Sequence, residues 1–157
     1  MKEKHTKEKI KRDDLYKEID LIQACITRMA DNSFRLKELY ISLISVAITV
    51  MMTQESEWLI ICIFLLCVTL IFWGLNAFFL KIETLYRWKY DWVIEMRKAG
   101  EQSYLFDLNP HNKDMWLDIK NKNECFMKFV FAKTLVPLYG TIAGASLLII
   151  IYFLIVN

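Results

Sequence analysis

Four hydroxyls stand in step along one apolar run of this 157-residue chain: Ser42, Ser45, Thr49 and Thr53, at spacings of 3, 4 and 4. On a helix those intervals put all four on one face. Aligned hydroxyls can line a polar path, or they can pack against a neighbouring helix, and the spacing suits both. A second polar series, Thr69, Asn76 and Glu83, recurs every seven residues from apolar into charged sequence. A carboxamide inside hydrocarbon is costly unless it is paired, so Asn76 is expected to face protein or water. A third cluster is cationic. Arg28, Arg35 and Lys37 lie close to Asn32, and guanidinium groups grip phosphates through paired hydrogen bonds, so these four residues form a candidate anion site. The plainer reading of the same cations is contact with lipid headgroups.

Other chemistry finds little support. His5 and His111 are isolated, and Cys25, Cys62, Cys67 and Cys125 form no CxxC pair and match no His spacing, so they read as reduced packing residues and no metal site is expected. There is no Gly-rich phosphate loop and no nucleophile set beside a base. The sequence argues against an enzyme and calls for no cofactor.

The elements that must position these residues follow from how charge is distributed. The chain is 55% hydrophobic and 24% charged, and the two kinds are segregated into blocks: no charge falls from Leu39 to Met52, from Trp58 to Leu80, or from Thr134 to Asn157. The second and third runs hold 23 and 24 residues. At about 1.5 Å per residue, each can cross a hydrocarbon core of about 30 Å. The first run lengthens to 36–53, because the stem of Lys37 can snorkel and Thr53 and Gln54 can sit among headgroups. The expected fold is all-α, an integral membrane protein with three transmembrane helices and extended cytoplasmic helices. A tail and amphipathic helix occupy 1–35, spans occupy 36–53, 58–80 and 134–157, a short external hairpin occupies 54–57, and a cytoplasmic helical region occupies 81–133. Nine Lys and Arg precede the first span and Lys37 lies in its first turn, ten lie between 81 and 133, and none lies in the hairpin or after the third span. Positive residues near spans are retained in the cytoplasm, so the expected orientation is N-terminus inside and C-terminus outside. The first 37 residues lack the apolar core of a signal peptide, so the N-terminus reads as mature protein.

Within the charged blocks, residues 1–11 read as a solvated tail, with contact to anionic lipid or a polyanion as the alternative. Leu15, Ile19, Ile22, Ile26 and Met29 then recur at 4, 3, 4 and 3, the seam of two heptads and a candidate oligomerisation surface. Asp31, Asn32 and Ser33 read as capping or bend residues where this helix meets the first span, so the helix is expected to be either hinged onto that span or continuous with it. After the second span, Leu85, Trp88, Trp92 and Met96 keep helical spacing, and Gly100 reads as the stop. Asn109-Pro110 reads as the start of a short amphipathic piece with Met115, Trp116 and Ile119. In the last span Gly140 and Gly144 form GxxxG, a second candidate oligomerisation element, and Pro137 can bend the helix.

"ITRMADNSF" followed by "LK", "FWGLNAFFL" with Glu83 and Leu85 beyond it, and "KTLVPLYG" opening the last span together resemble a family of small bacterial inner-membrane proteins with an RMAxNSF motif. The resemblance touches all three spans. Asn76 stands where many relatives are expected to carry Asp, which removes a charge from that position. Such families resemble the membrane effectors of anti-phage systems, in which a nucleotidyltransferase or other sensor makes a nucleotide signal and the effector permeabilises the membrane. The channel effectors of Hailong-type systems, similar in plan, are held shut by short DNA oligomers. The resemblance therefore implies a homo-oligomeric channel or membrane-disrupting effector in the bacterial inner membrane. Its partners would be membrane lipids and a nucleotide or short oligonucleotide from a partner nucleotidyltransferase, acting on the cytoplasmic helices. The residues themselves leave open a non-conducting scaffold or regulatory subunit that binds a partner protein through the heptad stripe. A transporter is disfavoured by the lack of repeats and of a broken span with paired ion ligands.

Overall fold

No proline falls before Pro110, and the helices in that part of the chain are long. The computed structural model describes residues 12–53, 58–119 and 125–156. The Lys-rich tail and the 54–57 hairpin, with the contacts expected of the tail, lie outside the described residues. Helix α1 covers Arg12–Thr53 and α2 covers Trp58–Lys98; α3 (Lys113–Asp118) and α4 (Phe126–Val130) are short, and a π-helical turn, Val136–Gly140, leads into α5 (Thr141–Val156). The segments Arg12–Thr53, Trp58–Lys98 and Val136–Val156 are each long and apolar enough to cross a membrane. The chain is thus an all-helical, multi-pass membrane protein.

Two compact units share these helices, one of residues 31–81 and 124–157 and one of residues 1–30 and 82–123. We call them the span unit and the polar unit. The span unit also takes in residues 31–35 and 124–133, which sequence reading placed with the cytoplasmic regions. Its core joins Tyr40, Ile44 and Ala47 of α1, spaced 4 and 3 apart, to Leu65 and Ala77 of α2, Phe129 of α4, and Leu135 and Tyr139. The Trp73 indole N–H donates to the Val130 carbonyl at 2.7 Å, which ties α4 to α2. The third apolar helix begins at Val136 rather than Thr134. Pro137 brings no N–H, so the regular ladder opens there into a π turn, and the Thr141 hydroxyl donates to the Pro137 carbonyl at 2.8 Å.

Of the two expected arrangements the helix is the continuous one: Asp31, Asn32 and Ser33 do not end α1, which runs through them. The weak helix propensity of three residues is a small term beside the tertiary contacts of a 42-residue helix, and Ser33 spends its hydroxyl on another helix. At the end of α2 the expected stop holds. Gly100 has φ 77°, its N–H donates to the Arg97 carbonyl at 3.1 Å, and that of Glu101 donates to Met96 at 3.0 Å, a Schellman closure that needs a left-handed residue. The start of α3 falls later than Asn109-Pro110. Asn112 is the cap, its side-chain oxygen accepting from the Asp114 and Met115 N–H groups, while Asn109 closes a turn with the N–H of His111.

In the polar unit Ile22 is fully buried with Trp92, Val93 and Met115, and Ile26, Met96, Trp116 and Ile119 pack around them. Of the stripe expected to form an assembly seam, Ile22 and Ile26 pack inside this unit, and Leu15, Ile19 and Met29 are half-buried. Two ion pairs fasten the segment after α2. Glu18 accepts from Arg97 at 2.8 and 2.9 Å and from the N–H of Phe106 at 3.0 Å. Lys89, fully buried over the Trp92 ring, meets Asp107 at 2.9 Å. These contacts hold Tyr104 and Phe106 at φ 61° and 59°, a conformation that costs a non-glycine residue on the order of 1 kcal/mol.

Asp107 carries a pH signature. Burial pushes its carboxyl up, but hydrogen bonds from Lys89, Asn112 and the Asn109 N–H outweigh it, so the carboxyl titrates below its ordinary value of 3.8. A depressed carboxyl contributes stability that is complete above the unfolded value and is lost as pH falls through the folded one. The 101–112 segment is therefore expected to loosen only below about pH 4. Protease cleavage at this segment as pH is lowered checks this, and Asp107→Asn should give the loosened pattern already at neutral pH.

Candidate functional site

Asn76 is fully buried in the span unit. Its carbonyl oxygen accepts from the Ser33 hydroxyl, and its amide donates to the Tyr139 hydroxyl at 2.6 Å. Three helical segments meet on this one side chain, and hydrocarbon offers none of those atoms another partner. About two turns away along α1 and α2, the Tyr40 ring lies 4.7 Å from that of Tyr139, and its hydroxyl bonds that of Thr69 at 2.9 Å. Thr69 donates in turn to the Leu65 carbonyl at 2.7 Å. Among the described residues no buried side-chain nitrogen or oxygen lacks a partner. Asn76 thus faces protein, as one of the two expected alternatives, and its bonds hold the helices together within one chain.

The hydroxyl face of α1 lies elsewhere. Ser42, Ser45, Thr49 and Thr53 are all exposed, and each donates back to a carbonyl one turn earlier: Glu38, Ile41, Ser45 and Val50, each at 2.9 Å. Ser42 follows the buried Tyr40 by two residues, roughly 200° around the helix, so the hydroxyls stand opposite the face packed on the core. Glu83 joins neither set. It belongs to the polar unit, where the i,i+4 spacing lets it hold Arg87 at 2.8 and 3.0 Å.

The four residues of the candidate anion site are divided. Arg28 lies in the polar unit and Asn32, Arg35 and Lys37 in the span unit. Asn32 and Arg35 share a face of α1, whereas Lys37 sits two residues beyond Arg35, roughly 200° around the helix, so it cannot converge with them. Arg28 donates to the Cys25 sulfur at 3.8 Å. Burial, and then the Cys25 thiol, hold the Tyr86 hydroxyl above its usual range, against the pull of Arg28. A cleft of about 520 Å³ opens nearby in the polar unit, lined by Gln23, Ile26, Thr27, Arg87, Tyr90 and Asp91. Sequence reading missed this cleft because its walls come from residues some 60 positions apart. Of the GxxxG pair, a Cβ on Gly140 would meet Val136 and Trp73 at 3.6 and 3.9 Å, ordinary contacts, and one on Gly144 would meet nothing within 4 Å. Neither glycine is required for close packing within the chain.

No protein-family model, curated protein or solved structure matches this chain. The fold and site define a class, a three-span helical membrane protein with a buried polar tie between its spans and an outward hydroxyl face.

Proposed function

We propose that the chain is one subunit of a homo-oligomeric channel or membrane-disrupting effector of the bacterial inner membrane, with its N-terminus in the cytoplasm and its C-terminus outside. The supporting observation is the hydroxyl face of α1, exposed along the full length of the span and opposite the core. Three spans enclose no aqueous path in one chain, so conduction needs several copies, with this face turned to the axis. The ligand class, a nucleotide or short oligonucleotide, and the role in anti-phage defence rest on the sequence resemblance alone. Asn32 and Arg35, which share a face of α1 in the span unit, are proposed contacts, and so, separately, is Arg28, which directly follows Thr27 of the polar-unit cleft; Lys37, on the other side of α1, is left to lipid headgroups.

Purification in detergent with mass photometry, followed by ion flux from liposomes, tests this reading. The expected result is a defined oligomer that conducts. Ser45→Leu with Thr49→Val should preserve the oligomer and cut flux roughly tenfold, since losing hydroxyl contacts costs a hydrated ion on the order of 1 to 2 kcal/mol. A monomer without flux removes the channel and leaves the scaffold reading. For the ligand, nucleic acid should be extractable from the oligomer, its binding should weaken with salt, and Arg28→Ala or Arg35→Ala should reduce it. No bound nucleotide, with unchanged behaviour in both variants, returns these cations to headgroup contact.

A further inference from the structure

The span unit also contains a groove, which includes none of the hydroxyls of the α1 face and neither Asn76 nor its partners. It measures about 470 Å³ and is lined by Ile44, Ile48 and Met51 of α1, Leu65 of α2, and Ile142, Ala145 and Ile149 of α5, with Trp58 at one end. We propose that it is a binding site for one acyl chain of a membrane lipid, from the leaflet on the side of the 54–57 hairpin. The inference rests on the membrane reading of the three helices and is independent of whether the protein conducts.

Four features favour that occupant. No charged side chain lines the groove, and apart from Thr141, Ser146 and Cys62 its lining is hydrocarbon, thioether and indole, so its ligand is apolar. The Thr141 hydroxyl on its wall is already bonded to the Pro137 carbonyl. The walls run from Ile44 to Met52 on α1, from Trp58 to Leu65 on α2 and from Thr141 to Ile149 on α5. At about 1.5 Å per residue these are roughly 10 to 12 Å long, close to the hydrocarbon depth of one leaflet, about half of 30 Å. Trp58 marks the end where the groove meets the headgroups, the position that indole rings favour. A helix of a second copy fits less well. A helical segment about 12 Å long and about 10 Å across occupies roughly twice the groove's volume, whereas a single hydrocarbon chain can enter lengthwise. Left unfilled, the lining would forfeit dispersion contacts that lipid supplies at no cost in hydration.

The test is photo-crosslinking of the full-length protein in vesicles of phosphatidylcholine carrying a diazirine within one acyl chain, with labelled residues mapped by peptide mass spectrometry. Val46 and Leu148 lie at similar depth but are exposed on the outside, so they report lipid that merely surrounds the protein. Labelling of Ile44, Met51 and Ala145 is expected to exceed that of Val46 and Leu148 about tenfold, the ratio that a 1.4 kcal/mol preference gives. Ala145→Phe should abolish the groove labelling and leave Val46 and Leu148 unchanged. Ile48→Phe, entering from the opposite wall, should do the same, so that misfolding of one variant does not decide the matter. Equal labelling inside and outside, or groove residues that crosslink to a second copy instead of lipid, would overturn the proposal.

Discussion

Arg97→Leu is expected to destabilise the polar unit by about 3 to 5 kcal/mol, the usual cost of removing one partner from a buried ion pair. Glu18 is completely buried and Arg97 nearly so, with side-chain exposures of 0% and 4%. Without the guanidinium the buried carboxylate keeps, among the described residues, only the Phe106 N–H as donor and loses two charge-assisted bonds. Arg97 also donates to the Glu101 and Ser103 carbonyls at 2.6 and 3.1 Å, so the same change releases the turn after α2. Denaturation in detergent, followed through Trp92 and Trp116, together with protease cleavage near Tyr104, reads both effects. Adding Glu18→Leu to Arg97→Leu should recover much of the loss, because an apolar pair leaves no buried charge. A single variant that loses less than about 1 kcal/mol and keeps the loop protected would show that water reaches the pair.

Asn76→Leu is expected to cost the span unit on the order of 1 to 2 kcal/mol, the range of an interhelical polar contact in a membrane whose partners are left behind. The two partners differ in how they recover. Ser33 can turn back to a carbonyl of its own helix, as its counterparts along α1 do. Tyr139, fully buried and packed on Tyr40 and Trp73, has no such retreat. Tyr139→Phe combined with Asn76→Leu should therefore cost less than the sum of the two single changes. The protein should still insert, with altered oligomer size or toxicity on overexpression. Unchanged stability, oligomer and toxicity together would mean that the carboxamide is merely tolerated, and that apolar packing alone joins the spans.

The difference between these two sites shows what sequence can carry. Asn76 was visible because a carboxamide in an apolar run is conspicuous against hydrocarbon, and its need for a partner follows from desolvation alone. Its partners were not visible: they lie 43 and 63 residues away, and nothing local distinguishes Ser33 from Ser42 or Tyr139 from an interfacial tyrosine. Glu18 and Lys89 were less visible still, since a charged residue in a charged helix looks solvated until another segment covers it. Of the heptad stripe, Ile22 and Ile26 are covered by residues of α2 and α3 within the chain, and only the tertiary structure decided this, because periodicity specifies that an apolar face needs cover and carries no information about what supplies it.

The sequence by itself determined what depends on solvent and on nearest neighbours along the chain: the helical class, the three spans, the glycine stop at Gly100 and the alignment of the α1 hydroxyls. Those follow from the transfer of side chains between water and hydrocarbon and from helical periodicity, both local in sequence. Only the tertiary structure decided that α1 continues through Asp31 to Ser33, that α4 packs into the span core, that the hydroxyls face away from that core, and that three apolar helices leave a groove between them. Each depends on contacts between residues far apart in the chain, whose free energies outweigh local propensities of a few tenths of a kcal/mol per residue.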